Sequence, residues 1–216
     1  MSPIAGWPSS AVWHRMSDVN SPEFWQAIYR DGRAGWDLGE PTPVFRRILQ
    51  SGRLPPGRMI VLGAGRGHDA RMFARHGFDV TAVDFAEDAV RAMQDMAEPE
   101  APLTIMQADI FDLPEHFGNE FDYVLEYTCF CAIDPQRRAA YADVVAHLLK
   151  PGGMFVALLF PTCEGEGGPP FAVSPHEVIQ LFRERGFKVI HLEVPHDSVP
   201  QRQGIEELVI FRNVRG

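Results

Sequence analysis

The run Met59-Ile60-Val61-Leu62-Gly63-Ala64-Gly65-Arg66-Gly67-His68-Asp69 holds the densest chemical signal in the chain. Four apolar residues lead directly into three glycines at alternate positions. Glycine lets the backbone turn tightly and approach a ligand with no Cβ in the way. The amides that open the following helix then face whatever binds. Asp84 closes the next apolar run, Val80-Thr81-Ala82-Val83, about 20 residues beyond the first glycine, the usual distance for an acid that holds ribose hydroxyls. Together these residues describe a nucleoside pocket. Two further acids stand where such a pocket needs them. Asp109 is expected to end the third strand, and Glu126 with Tyr127 to end the fourth. In an open α/β sheet the carboxyl ends of the strands line the ligand crevice.

The spacing selects among nucleosides. A dinucleotide loop reads G-x-G-x-x-G/A, but here the third glycine, Gly67, comes one place early and His68 takes the sixth position. NAD and FAD are therefore poor matches, and a nicotinamide dehydrogenase is the weaker reading. A phosphate-binding loop ending in Gly-Lys-Ser/Thr is absent. G-x-G-x-G after a first strand suits S-adenosylmethionine (AdoMet), which has no pyrophosphate to cradle. The bland alternative is a tight strand-to-helix turn. Asp109 can accept from an adenine amino group while Ile110 packs on the ring; the alternative for Asp109 is an ordinary turn or cap aspartate.

The elements that must position these groups follow from periodicity. Seven strands are expected over residues 59–62, 79–84, 103–109, 121–128, 154–160, 187–194 and 207–212. Helical stretches are expected at 66–76, 86–97, 134–149 and 174–185. Strands alternating with helices mean a Rossmann-like, doubly wound α/β sheet. It should be mostly parallel with helices on both faces. No helix separates the last two strands, so the C-terminal strand should be antiparallel. Gly77 is expected just past one helix end, Lys150-Pro151-Gly152-Gly153 should break another, and Ser174-Pro175-His176-Glu177 reads as a capped helix start. Residues 1–20 read as a flexible segment. Residues 21–216 read as one domain, with an N-terminal helical lid over 21–50. Its first helix carries Phe24, Trp25, Ile28 and Tyr29 on one face.

Composition narrows the partners. The net charge of −9 argues against nucleic acid or an anionic membrane, because phosphate contacts need a basic face. No apolar run is long enough to span a bilayer and no signal peptide is evident, so a cytoplasmic protein is expected. Cys129, Cys131 and Cys163 make neither a disulfide framework nor a metal site. A monomer is the favoured state.

Beyond the glycine loop, five segments occur in a fixed order: Gly-Trp-Asp-Leu-Gly-Glu-Pro-Thr-Pro, Gly-Ala-Gly-Arg-Gly-His-Asp, Glu-Tyr-Thr-Cys-Phe-Cys-Ala-Ile-Asp-Pro, Leu-Leu-Lys-Pro-Gly-Gly and Gly-Gly-Pro-Pro-Phe. In this order the chain resembles the halide/thiol methyltransferases of the thiopurine S-methyltransferase superfamily, from about Phe24 to Phe211. The resemblance implies a class I methyltransferase that uses AdoMet and releases S-adenosylhomocysteine (AdoHcy). It implies that Trp25, Tyr29 and Trp36 cap the cofactor and that Gly63 and Gly65 form its loop. Asp84 would hold the ribose, and Asp109 with Ile110 the adenine. Tyr127 would lie beside the methionine portion or the methyl group. The chain departs from the family pattern at Leu62-Gly63-Ala64, where Pro-Gly-Cys is usual. It also has Tyr29 where tryptophan is frequent and Glu126 where aspartate is frequent.

Methyl transfer to sulfur needs at most one proton removed. A halide needs none. A thiol with a pKa near 8.5 is only partly ionised at pH 7. Tyr127, Glu126 and His68 are the candidates for assistance, with His68 equally placed to anchor the loop. Cys129 and Cys131 read as packing residues. Phe160, Phe171 and the acidic loop at 162–170 would shape the acceptor site, and that acidity favours an organic thiol over free halide. A small thiol is the leading acceptor, then halide or thiocyanate, then a thiopurine or other heterocyclic thiol. A non-catalytic AdoMet-binding sensor or partner protein is the alternative of another class.

Overall fold

The computed structural model describes residues 19–99, 101, 103–163 and 167–216. The expectation for the first 20 residues therefore lies outside the described residues except at Val19 and Asn20, as do the acids Glu164 and Glu166 of the expected acceptor loop.

Two helices, α1 (Pro22–Arg30) and α2 (Pro43–Gln50), precede strand β1 (Arg58–Leu62). Then come α3 (His68–Arg75), β2 (Asp79–Asp84), α4 (Glu87–Asp95), β3 (Leu103–Gln107), a 3₁₀ turn at Ile110–Glu115 and β4 (Phe121–Tyr127). A second 3₁₀ turn, Pro135–Arg137, runs into α5 (Arg138–Leu148). The chain finishes with β5 (Leu149–Leu159), α6 (Pro175–Arg183), β6 (Phe187–Glu193), a 3₁₀ turn at Pro200–Arg202 and β7 (Glu207–Asn213).

The strands form one seven-stranded sheet in the order β3-β2-β1-β4-β5-β7-β6. Pairings from β3 through β5 are parallel, and β7 runs antiparallel to both β5 and β6. The expected doubly wound sheet with an antiparallel C-terminal strand is thus observed. Strand order reverses between β1 and β4, and the crevice opens at their carboxyl ends.

The inner strands β1, β2, β4, β5 and β7 are buried on both faces over most of their length, which is why they read as apolar runs. Along β1, Ile60 and Leu62 pack on one face with Phe24, Trp25 and Ile28 of α1. Met59 and Val61 pack on the other with Val44, Phe45 and Ile48 of α2. Helix α2 went unrecognised in the sequence although its signal is present. Thr42-Pro43 is a helix start, and Val44, Phe45, Ile48 and Leu49 repeat at helical spacing on one buried face. Among the described residues no helix is long and apolar enough to cross a membrane.

Three boundaries differ from expectation. β3 stops at Gln107, so Asp109 lies beyond the strand and caps the 3₁₀ turn, accepting from the Phe111 amide at 3.0 Å. Asp134 likewise caps Pro135–Arg137 before α5 begins. Lys150-Pro151-Gly152-Gly153 does not separate α5 from β5. Leu149 already pairs with Phe121, and a register shift between Phe121 and Tyr123 absorbs the breakers within one long strand. Gly77 does follow α3 with φ +86°, and Ser174 Oγ accepts from the Glu177 amide at 3.3 Å.

Candidate active site

Two adjoining cavities occupy the crevice. The first, about 100 Å³, is bordered by Trp25, Tyr29, Trp36, Asp84, Asp109 and Ile110, with Gly63 at its floor. The second, about 70 Å³, is bordered by Gly65, Asp37, Thr42, His68 and Tyr127. Trp36, Gly63 and Thr128 line both. Every residue expected to bind cofactor therefore borders one cavity or the other.

The glycine loop is built by its neighbours. The Ala64 amide donates to Val83 O at 2.8 Å, and the Gly65 amide to Asp84 Oδ2 at 2.9 Å. The other carboxylate oxygen of Asp84 accepts from the Ala86 amide at 2.9 Å. Asp84 thus braces the loop and the start of α4 while still bordering the first cavity. Each of its oxygens has a further lone pair to offer. Burial pushes its carboxyl up to about 6. Gly67, at φ +72°, ends the loop where a Cβ would stand 2.8 Å from Met93 Cγ.

Aromatic side chains wall the first cavity. Trp36 meets Trp25 edge to face at 5.4 Å and Tyr29 at 5.5 Å between ring centroids. Trp25 Nε1 donates to Val19 O at 2.8 Å. At the far end, the Arg137 guanidinium lies 3.6 Å from the centre of the Phe111 ring and donates to Asn20 Oδ1 at 3.1 Å.

The tryptophan loop and the glycine loop are tied to each other. Asp37 stands 3.0 Å from Arg66 Nη1 and 3.2 Å from His68 Nε2. Burial would raise its carboxyl, but its bonds to His68 and to the Gly39 amide hold the pKa below the usual carboxylate range. Thr42 gives Asp69 two bonds, from its amide at 2.7 Å and its hydroxyl at 2.8 Å. These ties hold the two segments against each other, and they give His68 an anchoring contact. Asp69→Asn should reverse one of the two Thr42 bonds and lower stability by about 1–3 kcal/mol. A urea midpoint shift with unchanged far-ultraviolet circular dichroism would report it; an unchanged midpoint would show the tie to be idle.

Tyr127 and Glu126 part company at the end of β4. Tyr127 borders the second cavity, whereas Glu126 borders neither. Glu126 Oε1 accepts from the Cys129 amide at 3.1 Å and the Phe130 amide at 2.8 Å, so the carboxylate braces the turn after β4. Burial pushes its carboxyl up to about 7. This geometry sets Glu126, expected to act beside Tyr127, behind the turn and away from both cavities. Successive strand residues point to opposite faces, and only Tyr127 is on the cavity side. Cys129 packs on Gly63, and burial raises its thiol well above the ordinary value, as expected for a packing residue.

The carboxylate that reaches Tyr127 is Glu206, which escaped the sequence analysis together with Arg202. Tyr127 Oη donates to Glu206 Oε1 and accepts from Arg202 Nη1. Arg202 Nη2 donates to the Trp36 carbonyl at 3.0 Å. Both Arg202 and Glu206 are buried. Thr128, next along, holds φ +60°, an uncommon conformation for a β-branched residue and one that marks a constrained site.

Known proteins resemble this chain in sequence and fold. A probable thiol methyltransferase 2 of Arabidopsis thaliana is 34% identical over 206 residues, covering 93% of this chain and 89% of the relative. A thiocyanate methyltransferase 1 of Brassica oleracea is 34% identical over 194 residues, covering 88% and 84%. The crystal structure of Burkholderia thailandensis 1,6-didemethyltoxoflavin-N1-methyltransferase, with 1,6-didemethyltoxoflavin and S-adenosylhomocysteine bound, superposes with a TM-score of 0.71 at 21% identity, covering 96% and 92%. That likeness establishes the fold. The family model for thiopurine S-methyltransferase matches residues 20–213, so the chain belongs to this family of AdoMet-dependent methyltransferases.

Proposed function

We propose that this protein methylates a small thiol, with AdoMet lying across both cavities. The observation that carries the reading is the shared border of Trp36, Gly63 and Thr128, which makes one elongated site of an apolar and a polar compartment. The donor set suits the cofactor. Asp84 would accept from the ribose hydroxyls. Asp109 and Ile110 would meet the adenine, and Trp25, Tyr29 and Trp36 would cover it. Gly63 and Gly65 let the backbone pass beneath, with Tyr127 toward the methionine end.

Bound there, AdoMet supplies a sulfonium methyl group for in-line displacement, with AdoHcy as product. The chain has three tasks. Its aromatic faces attract a cation, each worth about 0.5–2 kcal/mol within roughly 6 Å. Its covering segments exclude water and align the acceptor, which matters where charges of opposite sign cancel in the transition state. It must also accept a proton if the acceptor is a thiol.

The identity to a thiol methyltransferase supports this acceptor class. A second reading, thiocyanate or halide, draws on the identity to a thiocyanate methyltransferase. An acceptor screen tests both. Hydrosulfide, 2-mercaptoethanol, an aromatic thiol, a thiopurine, thiocyanate and iodide are compared at fixed AdoMet, with methylated products detected by mass spectrometry. The highest kcat/KM is expected for a small thiol. Transfer to iodide or thiocyanate alone would establish the second reading. AdoMet binding by calorimetry without transfer to any acceptor would point to a sensor.

A further inference from the structure

We propose that Glu206 takes up, through the hydroxyl of Tyr127, the proton that a thiol acceptor must lose. The inference rests on the thiol reading above. Tyr127 Oη has one proton and two lone pairs. The proton is directed at Glu206 Oε1, and one lone pair accepts from Arg202 Nη1. The remaining lone pair is left for an S–H donor in the second cavity, which Tyr127 borders. A phenol that donates to a carboxylate is a stronger acceptor at its own oxygen, because hydrogen bonds in a chain polarise one another.

The surroundings of Glu206 suit this task. It is 1% exposed, immediately ahead of β7. The charged and titratable groups facing it are Tyr127 from β4, Arg202 from the last 3₁₀ turn and Asp197 from the connection after β6. Arg202 Nη1 stands 4.0 Å from Oε1 and balances its charge, while Asp197 is itself paired with Arg47 at 2.8 Å. Burial lifts the carboxyl above the usual carboxylate range, which makes it a better proton acceptor than an exposed glutamate. Arg202 also faces the rings of Tyr127 at 5.1 Å and Phe160 at 4.8 Å, so the relay stands on a fixed platform.

The step balances. The S–H bond breaks and its proton passes to Tyr127 Oη, while Tyr127's own proton passes to Glu206 Oε1. The freed sulfur pair forms the new S–CH₃ bond as the sulfonium C–S bond breaks. Glu206 returns its proton to solvent through Tyr127 after the product leaves. The benefit is bounded: a thiol of pKa near 8.5 is ~3% ionised at pH 7, so a proton acceptor gains at most ~30-fold there, and nothing for iodide.

The test compares E206Q with the native protein, using cysteamine, a small thiol of pKa near 8.5, and iodide at saturating AdoMet from about pH 6 to about pH 9.5. Glutamine keeps an oxygen for the Tyr127 hydroxyl but cannot take the proton. The expected result is ~10-fold lower thiol turnover near pH 7, shrinking as the pH passes the thiol pKa, with a loss several-fold smaller for iodide. AdoHcy affinity, measured by calorimetry, should move by less than about 2-fold. Y127F should show the same pattern, and the double variant should be no worse than the poorer single one, since both remove one pathway. If E206Q fails to fold, Y127F alone decides by the same comparison. Equal losses for thiol and iodide, or a thiol loss that ignores pH, would overturn the relay and leave Glu206 a positioning residue for Arg202. Native protein that methylates iodide but no thiol would instead overturn the acceptor reading, and the relay with it.

Discussion

Replacing Asp84 with alanine should weaken AdoMet binding on the order of 100-fold, because two hydrogen bonds to a charged acceptor are lost at about 1.5 kcal/mol or more each. Isothermal calorimetry reads this directly, and unchanged affinity would remove Asp84 from the ribose role. The carboxyl also predicts a pH dependence in the native protein. Burial has pushed it up to about 6, so it becomes neutral as the pH falls through that value. A neutral carboxyl is a poorer acceptor for hydroxyl donors. Affinity should therefore drop several-fold from about pH 7.5 to about pH 5, and Asp84→Asn should flatten the profile. The same shift acts on the unliganded fold with the opposite trend. A folded-state pKa above the unfolded value of 3.8 means stability is greatest below that value and declines as the pH rises through about 6. The ionised carboxylate then costs about 3 kcal/mol, roughly two pKa units at 1.36 kcal/mol each. The Asp84 contributions to cofactor affinity and to unliganded stability, read as the difference between native protein and Asp84→Asn, should thus respond to pH in opposite directions, a pattern that a general acid-induced loosening would not produce.

How much of this site the sequence discloses depends on how local each signal is. The glycine loop and Asp84 are legible because one strand, one turn and the next strand end fix them within a single βαβ unit. Asp109 is displaced by two residues from its expected strand end, since an Asx-type cap and a continuing extended chain look alike in sequence. Helix α2 was hidden behind a Gly- and Pro-rich approach even though Thr42-Pro43 opens it in the usual way. Glu126 and Tyr127 are adjacent, so only the strand's alternation separates a cavity residue from a turn brace. Arg202 and Glu206 were out of reach. They touch Tyr127 from 75 and 79 residues away, across an antiparallel return that no local pattern encodes. The ties between Asp37 and His68 and between Thr42 and Asp69 are of the same kind. Two segments can each look like a motif without showing that they bind one another.

The substitution expected to do most damage to the fold and the site together is Gly63→Ala. Gly63 holds φ +60°, where an L residue costs about 1–2 kcal/mol. Its new Cβ would stand 2.8 Å from Cys129 Sγ and 2.9 Å from Cys129 Cβ, well inside contact distance. Overpacking of this kind adds about 1–3 kcal/mol. Cys129 has little room to retreat, because Glu126 Oε1 holds its amide at 3.1 Å and the next amide at 2.8 Å. The two costs together should lower stability by roughly 2–5 kcal/mol, read as a urea midpoint shift at unchanged slope. They should also displace the floor shared by both cavities, so AdoMet affinity should fall well beyond what stability alone explains. The origins separate in the double variant with Cys129→Gly, which removes both crowding atoms but leaves the backbone cost. That variant should recover about 1–3 kcal/mol relative to the sum of the two single effects, the coupling expected of residues in direct contact. Strict additivity would place the whole penalty in the backbone of Gly63 and show that the turn after β4 yields more readily than its bonds to Glu126 imply.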